Sequence, residues 1–570
     1  MNTKTIITSL GTLFVSAAFC NCTSAKTELL PVAGFQNGKS ALQLNLLGRY
    51  NSGEHNADGG VMEIIAYNST SGFAYAINGQ SGKIDIMCLN GLKSQELQDI
   101  AGTSFDVKSA VKSMDSSFDY GDMSSIAISP NKQVLAAALQ AKAHDAAGRV
   151  AIFTMAADGS LSLQSVITVG VQPDMVCFAD DNTVLTADEA EPRKGYAKES
   201  DDPKGGVSIV NISAKSSKNL GFEAFDSPAA RAKLVQSGVI LKKGALPSRD
   251  LEPEYMTISN GKAYVTLQEA NAIAVVDIKG QKIENIFPLG FIDYSKTKID
   301  LNSKDKACKL MNHPGVYGMR LPDTIASFTK GGTTYLVTAN EGDDRKYGKK
   351  KTASYYKNKK KVKLGDGDSS PAGHITPTSF GETSSKAKIN MLDLGKVEGL
   401  NPKHDYLFGG RSFSIFSVSS NGLHLVFDSG SDFERITAEV LPKYYNTSND
   451  TVKIDDRSGK KGPEPEAITV GQIGDKTYAF IGLERTSGVM VYDVTNPSQA
   501  KFVNYINSRN FDEVIGTAYD DEDLLTVTGG DIAPEGMVFV PAAQSKTGKP
   551  MLLVANEVSG TVSVISLDSL

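Results

Sequence analysis

The sequence is poor in the residues that build soft-metal and nucleophilic centres. Five cysteines and six histidines are spread over 570 residues, and no spacing among them resembles a zinc site. Beyond Cys20 and Cys22, the remaining Cys88, Cys177 and Cys308 are odd in number and far apart, which is no disulfide framework. Cys88 in KIDIMCL and Cys177 in PDMVCFA stand inside apolar runs and read as core thiols. A G-x-S-x-G elbow, a P-loop and a dinucleotide-binding fingerprint are all missing. Basic charge is also short. The formal net charge is −6, which gives no general attraction to nucleic acid or anionic lipid.

What is present is a repeat. The stretch LEPEYMTISNGKAYVTLQEANAIAVVDIKGQKIENIFPLG, residues 251–290, reads as four short strands, A to D, separated by turns rich in Gly, Asn and Asp. The same phrase opens at GGVMEIIAY (59–67), MSSIAIS (123–129), QPDMVCFA (172–179), LPDTIASF (321–328), EPEAITV (464–470) and APEGMVFV (533–540). In the copy at 59, the fourth strand is expected at LKSQELQDI. The last copy stops without its fourth strand, and an isolated strand-like segment, ALQLNLLGRYNSG at 41–53, matches the missing one. Circular arrays need their ends paired to avoid open sheet edges. The expected fold is therefore all-β: a seven-bladed β-propeller over residues 41–570, closed by an N-terminal strand that completes the last blade.

Flanking and interrupting segments read differently. Residues 1–25 carry an early lysine, an apolar run from Ile6 to Phe19 and small residues near Ala25, the layout of an export signal. Cleavage near Ala25 and lipidation at Cys20 or Cys22 are alternative fates, although Phe19 and Asn21 depart from the small residue that usually precedes a lipidated cysteine. The expected location is periplasm, outer surface or secreted, with membrane contact only through such an N-terminal lipid. Residues 346–405 form a lysine-rich insertion read as a solvated excursion, and Asp366 and Asp368 within it lack the spacing of an EF-hand loop. Residues 221–250 hold a short helix in FDSPAARAKLVQSG, while 292–321 and 506–531 read as polar excursions.

Strand A is innermost in a propeller, so the residue opening each A strand stands at one mouth of the central channel. These positions are Glu63, Ser124, Asp174, Glu254, Asp323, Glu466 and Glu535; six of the seven are acidic, and five follow a proline. A second set sits at the turn between strands B and C on the same face: Glu189, Glu269, Glu341, Glu484 and Glu557, with Asp343 and Asp344 nearby. Converging carboxylates are costly unless a cation, an arginine or a proton compensates them. Oxygen ligands without histidine or thiolate suit calcium or magnesium. Two readings stand side by side. In one, Glu63, Asp174, Glu254, Asp323, Glu466 and Glu535 hold a divalent cation. In the other, each carboxylate accepts backbone N–H groups of the adjacent blade as a repeated lock, with Arg345, Arg435 and Arg485 neutralising some acids. Glycosidase chemistry from Glu252 with Glu254, or Glu464 with Glu466, is excluded because each pair shares one strand opening and leaves no room for a sugar.

GRYNSG with GGVMEIIAY, YLVTANEGDDR, FGGRSFSIF, VFDSGSDFERITA, DDRSGKKGPEPEAITVG, YAFIGLERTSGVMVYDV and LLVANEVSGTVSV together resemble the choice-of-anchor I proteins. Those are bacterial envelope or secreted propellers, similar also to mesenchyme-specific cell surface glycoproteins of animals. The resemblance implies an exported binding or scaffold module with an unassigned extracytoplasmic ligand or protein partner. Because some relatives carry an alkaline phosphatase label, it also implies a calcium-dependent phosphoesterase as the alternative. There Glu254, Glu466, Glu535 and Glu341 would be cation ligands, and Arg345 or Arg485 would meet phosphate; Asp343, Glu484, Glu557 and Glu269 complete the expected ligand-binding face.

Overall fold

The structure, a computed structural model, describes residues 42–94, 96–192, 202–345, 369–371, 389–520 and 523–569. The expected signal, Cys20, Cys22, Asp366, Asp368 and most of the lysine-rich insertion lie outside them. Among the described residues no helix is long and apolar enough to cross a membrane.

The chain is all-β and propeller-like, dominated by four-stranded antiparallel units in sequence order. Six such sheets open with Met62–Asn68, Tyr120–Ile128, Pro173–Phe178, Pro253–Ser259, Ile325–Lys330 and Pro465–Ile473, and a seventh sheet, five-stranded, opens with Pro534–Val540. These opening strands touch one another in chain order, and the strand of the seventh sheet also touches that of the first. In the seventh sheet, Leu42–Asn51 pairs antiparallel with Thr561–Ser569, with Leu44 opposite Leu567 and Tyr50 opposite Val562.

Second and third strands show why the sheets stack. Lys262–Leu267 and Ala272–Asp277 are buried along almost their whole length. Polar–apolar alternation is lost because both faces of each sheet meet a neighbouring sheet. Tyr75, Ile77 and Ile84 of the first sheet pack with Leu135, Ala137 and Phe153 of the second in one core cluster. Val337, Phe413 and Ile415 of the fifth join Ile481 and Met490 of the sixth in another.

Four features depart from the sequence reading. The fourth strand of the first sheet is Gly102–Asp106, not LKSQELQDI, whose Gln98–Asp99 instead lies parallel to Leu42–Asn51 in the seventh sheet. Ile84, Ile86 and Met87 pair with the later segment, whereas the earlier one carries charges that suit an edge. Residues 509–530, read as a polar excursion, form a two-stranded hairpin. A separate sheet combines Phe291–Asp293, Val316–Met319, Ser369–Pro371, Asn390–Leu392 and Asp405–Leu407, so the 292–321 excursion and the insertion contribute strands to one small layer. Cys88 is buried and disulfide-bonded rather than a free core thiol, while Cys177 and Cys308 are free. The helix expected in 221–250 is present at Pro228–Ser237, capped by Ser227 and ended by Gly238 in the left-handed conformation.

Candidate functional site

Six of the seven opening strands carry an irregularity that re-aims one side chain; Ile325–Lys330 pairs without one. The pairing register slips between Met62 and Ile65, Met123 and Ser125, Pro173 and Met175, Pro253 and Met256, Pro465 and Ile468, and Pro534 and Gly536. The residues inside these slips are Glu63 with Ile64, Ser124, Asp174, Glu254 with Tyr255, Glu466 with Ala467, and Glu535. A bulge leaves its extra residue out of the ladder and bends the strand. Proline fits at the first position because it has no N–H to give the ladder. Four of the five residues preceding those prolines, Gln172, Leu321, Glu464 and Ala533, hold positive φ, so the turn into each strand is tight as well as irregular.

The result is one cavity of about 790 Å³ lined by Glu63, Asp174, Glu254, Asp323, Glu466 and Glu535 together with Glu189, Glu341, Asp343, Glu484, Glu557 and Arg485. Both sets of acids expected from the repeat therefore converge, apart from Glu269 and Asp344. Ser124 lines the wall but gives its hydroxyl to the Pro173 carbonyl at 2.5 Å. The acid of that sheet is Asp122, two residues earlier, which also lines the cavity. Glu269 is buried beside the cavity without lining it. Arg345 lies 1% exposed, 3.1 Å from Asp250 and 3.5 Å from Glu252, and donates to the carbonyls of Glu269, Ile240 and Asp250. It ties three chain segments together and does not line the cavity. Arg435 pairs with Asp432 at 2.8 Å, whereas Glu434 is met by Arg411.

Lys461, Tyr255, Gln268, Asn449 and Asp450 also line the cavity and were not singled out from the sequence. For Lys461 the signal was available: it lies in KKGPEPEA, a turn away from the Glu464–Glu466 strand opening. Its ammonium contacts Glu341 and lies 3.3 Å from Glu464 and 3.7 Å from Asp343. Arg485 lies 2.7 Å from both Glu464 and Glu484 and donates to Asn449 at 2.8 Å.

Charges two residues apart are consequently treated in opposite ways. Burial alone would raise the Glu464 carboxyl, but Arg457, Arg485 and Lys461 overcome it and hold the group well below the usual carboxylate range. Glu466 is pushed well above that range by burial, then by Glu341, Glu535 and Asp323. Burial likewise leads the upward shifts of Glu63, Glu254, Asp323 and Glu535, with neighbouring carboxylates adding to each, and brings Asp174 up to about 7. Several of these side chains are reached in part by solvent, which moderates the shifts.

Hydroxyl groups perform much of the inter-sheet locking that the repeat predicted for carboxylates. Thr266 donates to the Asp323 carbonyl at 2.9 Å, Thr324 to the Glu466 carbonyl, and Ser124 to Pro173. One carboxylate does act as expected: Glu557 accepts the Gly60 N–H at 3.0 Å. Glu254, 8% exposed, and Glu466 each keep one buried carboxylate oxygen with no hydrogen-bond partner. Among the described residues, two carboxylate triads bring their oxygens within 4.8 Å of one another, Asp323–Glu466–Glu535 and Glu341–Glu466–Glu484. Carboxylate oxygens at that spacing, with one of Glu466 buried without a partner, fit a hard divalent cation.

The choice-of-anchor I domain profile matches residues 63–497. The chain is 32% identical to Gigasin-3a of Magallana gigas over 195 residues, 32% of this chain and 66% of that protein. It is 27% identical to the mesenchyme-specific cell surface glycoprotein of Strongylocentrotus purpuratus over 274 residues, 43% of this chain and 35% of that protein. The matches thus span about two thirds of the first relative and about a third of the second. Among solved structures, the β-propeller domain of Cps50 (Swd1) from Myceliophteria thermophila covers 93% of this chain and 99% of its own, with a TM-score of 0.42 and 8% identity, too distant to carry argument.

Proposed function

Since the chain belongs to the choice-of-anchor I domain family, we propose that it is a seven-bladed β-propeller, closed by its N-terminal strand, that works outside the cell or at its surface. There it acts as a binding or scaffold module holding a divalent cation, calcium, in its acidic mouth. Similarity to a mesenchyme-specific cell surface glycoprotein supports that location. The observation that carries the cation is the Asp323–Glu466–Glu535 triad beside the partnerless buried oxygens of Glu254 and Glu466. A carboxylate out of contact with solvent and without a donor is held at a cost of several kcal/mol, and a cation or proton removes that cost. Ordinary sheet locking supplies neither, because hydroxyls already perform much of it.

Metal content and thermal unfolding, with chelator and with added calcium, test this reading. Calcium retained through purification and a melting temperature that falls on chelation support it. Metal-free protein whose melting is unmoved by calcium rejects it.

A second reading is a calcium-dependent phosphoesterase. The presence of Lys461 and Arg485 in the same cavity favours it, since a bound cation beside two basic groups suits a phosphoryl oxygen. It predicts turnover of p-nitrophenyl phosphate that Glu466→Gln abolishes in folded protein, and absence of turnover in the calcium-loaded protein eliminates it.

A further inference from the structure

The two carboxylate triads share Glu466 but differ in what surrounds them. Among the described residues, no lysine or arginine pairs with Asp323, Glu466 or Glu535. In the second triad, Glu341 is already in contact with the Lys461 ammonium and accepts Gln268 at 2.6 Å, and Glu484 is paired with Arg485 at 2.7 Å. Lys461 itself is held from three sides, by Glu341, Glu464 and Asp343. One triad is thus compensated from within the protein, and the other is not. The uncompensated one lies in the same cavity as the partnerless Glu254 oxygen, whose side chain is more than nine-tenths buried.

We infer that Lys461 is a tethered cation that serves the Glu341–Glu466–Glu484 position, so that the cavity takes a single divalent ion, at Asp323–Glu466–Glu535. The inference rests on the cation reading of the cavity and adds where the ion sits and what limits the number bound. Two divalent ions bridged by one carboxylate stand only a few ångströms apart, about 3.5–4 Å in two-metal sites. A monovalent ammonium at the second position relieves most of that repulsion while still neutralising Glu341. Lys461 is in this sense a residue that sets metal stoichiometry.

Calcium titration of the chelator-stripped protein, read by calorimetry and by bound-metal analysis, tests it. One ion per chain is expected. Glu535→Gln weakens binding at least about 10-fold, whereas Glu341→Gln leaves the affinity of that ion nearly unchanged. Lys461→Gln frees the second triad and raises the stoichiometry to two, and adding Glu341→Gln to it returns the count to one. A single ion in folded Lys461→Gln protein overturns the inference while leaving the cation reading intact, as does loss of the ion in Glu341→Gln. No ion in either the parent or Lys461→Gln protein defeats both. If Lys461→Gln fails to fold, the contrast between Glu341→Gln and Glu535→Gln decides, since both substitutions remove negative charge from a crowded cavity.

Discussion

Breaking the link between the strand Leu42–Asn51 and Asp531 should destabilise the fold. Arg49, in the strand Leu42–Asn51, donates to both carboxylate oxygens of Asp531 at 2.7 Å, and the two groups are 9% and 4% exposed. Asp531 also accepts the hydroxyls of Ser508 and Thr561, the latter at 2.8 Å. Removing one partner of a buried pair costs about 3–5 kcal/mol, because the other charge is stranded. Here two hydroxyl donors remain, which places Arg49→Met at the lower end, about 3 kcal/mol. Asp531→Asn, which strands the arginine instead, should cost a similar amount, and the double variant should cost less than the sum of the two. Chemical denaturation of the four proteins gives the coupling directly. The effect should also fade in acid. Although burial works against its charge, Arg49 holds the Asp531 carboxyl below its usual range. Its contribution is therefore complete above the unfolded carboxylate value and is lost as pH falls through the folded one. A cost for Arg49→Met below about 1 kcal/mol, or additive single variants, would refute the idea that this pair fastens the strand Leu42–Asn51.

In the metal-free protein, cavity carboxylates raised in the folded state bind protons more tightly than in the unfolded chain. Stability should therefore be highest in mild acid and decline as pH climbs through about 7, the Asp174 value, towards about 8, the Glu269 value. Melting temperatures across that range should show the decline, calcium should reduce it, and Asp174→Asn should flatten its lower part; a pH-independent profile contradicts the assignment. Gly342 has a φ of +106°, and a Cβ there would lie 2.2 Å from the Gly409 backbone. Gly342→Ala should accordingly cost at least about 2 kcal/mol in urea unfolding; unchanged stability would mean that the two loops are not packed this tightly. Replacing the lock hydroxyl in Thr266→Val should cost about 1–2 kcal/mol with no change in calcium affinity, measured by the same melts and titrations.

The repeat made the sheets and the acids legible for one reason: a proline–acid opening is followed by strands whose β-branched content is obvious. It did not reveal that the acid sits in a register slip in five of the seven sheets, and this bears on the one error of alignment. Ser124 occupies the matched position, but the slip between Met123 and Ser125 lets Asp122 supply the carboxylate in that sheet. Period alone also misplaced the fourth strand of the first sheet, since LKSQELQDI and AGTSFD are comparable as short polar edges and only pairing with Lys83–Cys88 distinguishes them. Neighbouring charges in sequence were a poor guide to pairing. Arg345 follows Asp343 and Asp344 yet turns into the body of the protein to meet Asp250 and Glu252, and Glu434 is met by Arg411 rather than Arg435. Such pairings are decided by where the turns place backbone carbonyls, and that is set by the fold rather than by adjacency.

The carboxylates and the locks occupy the same strand openings, and separating them clarifies what each does. A lock needs a donor and an acceptor that remain satisfied whatever the pH or ionic conditions. Thr266, Thr324 and Ser124 meet that need with neutral hydroxyls bonded to backbone carbonyls of adjacent sheets. An acid placed in the same geometry and left without a donor adds strain instead of strength: each further carboxylate raises the proton affinity of the others, as Glu341, Glu535 and Asp323 do for Glu466. Where the protein needs a carboxylate merely compensated, it supplies the cation itself, as with Glu464 between Arg457, Arg485 and Lys461. Compensation at Glu464 and its absence at Glu466, two residues along one strand opening, is the contrast expected when one position is structural and the other is kept open for an ion from outside.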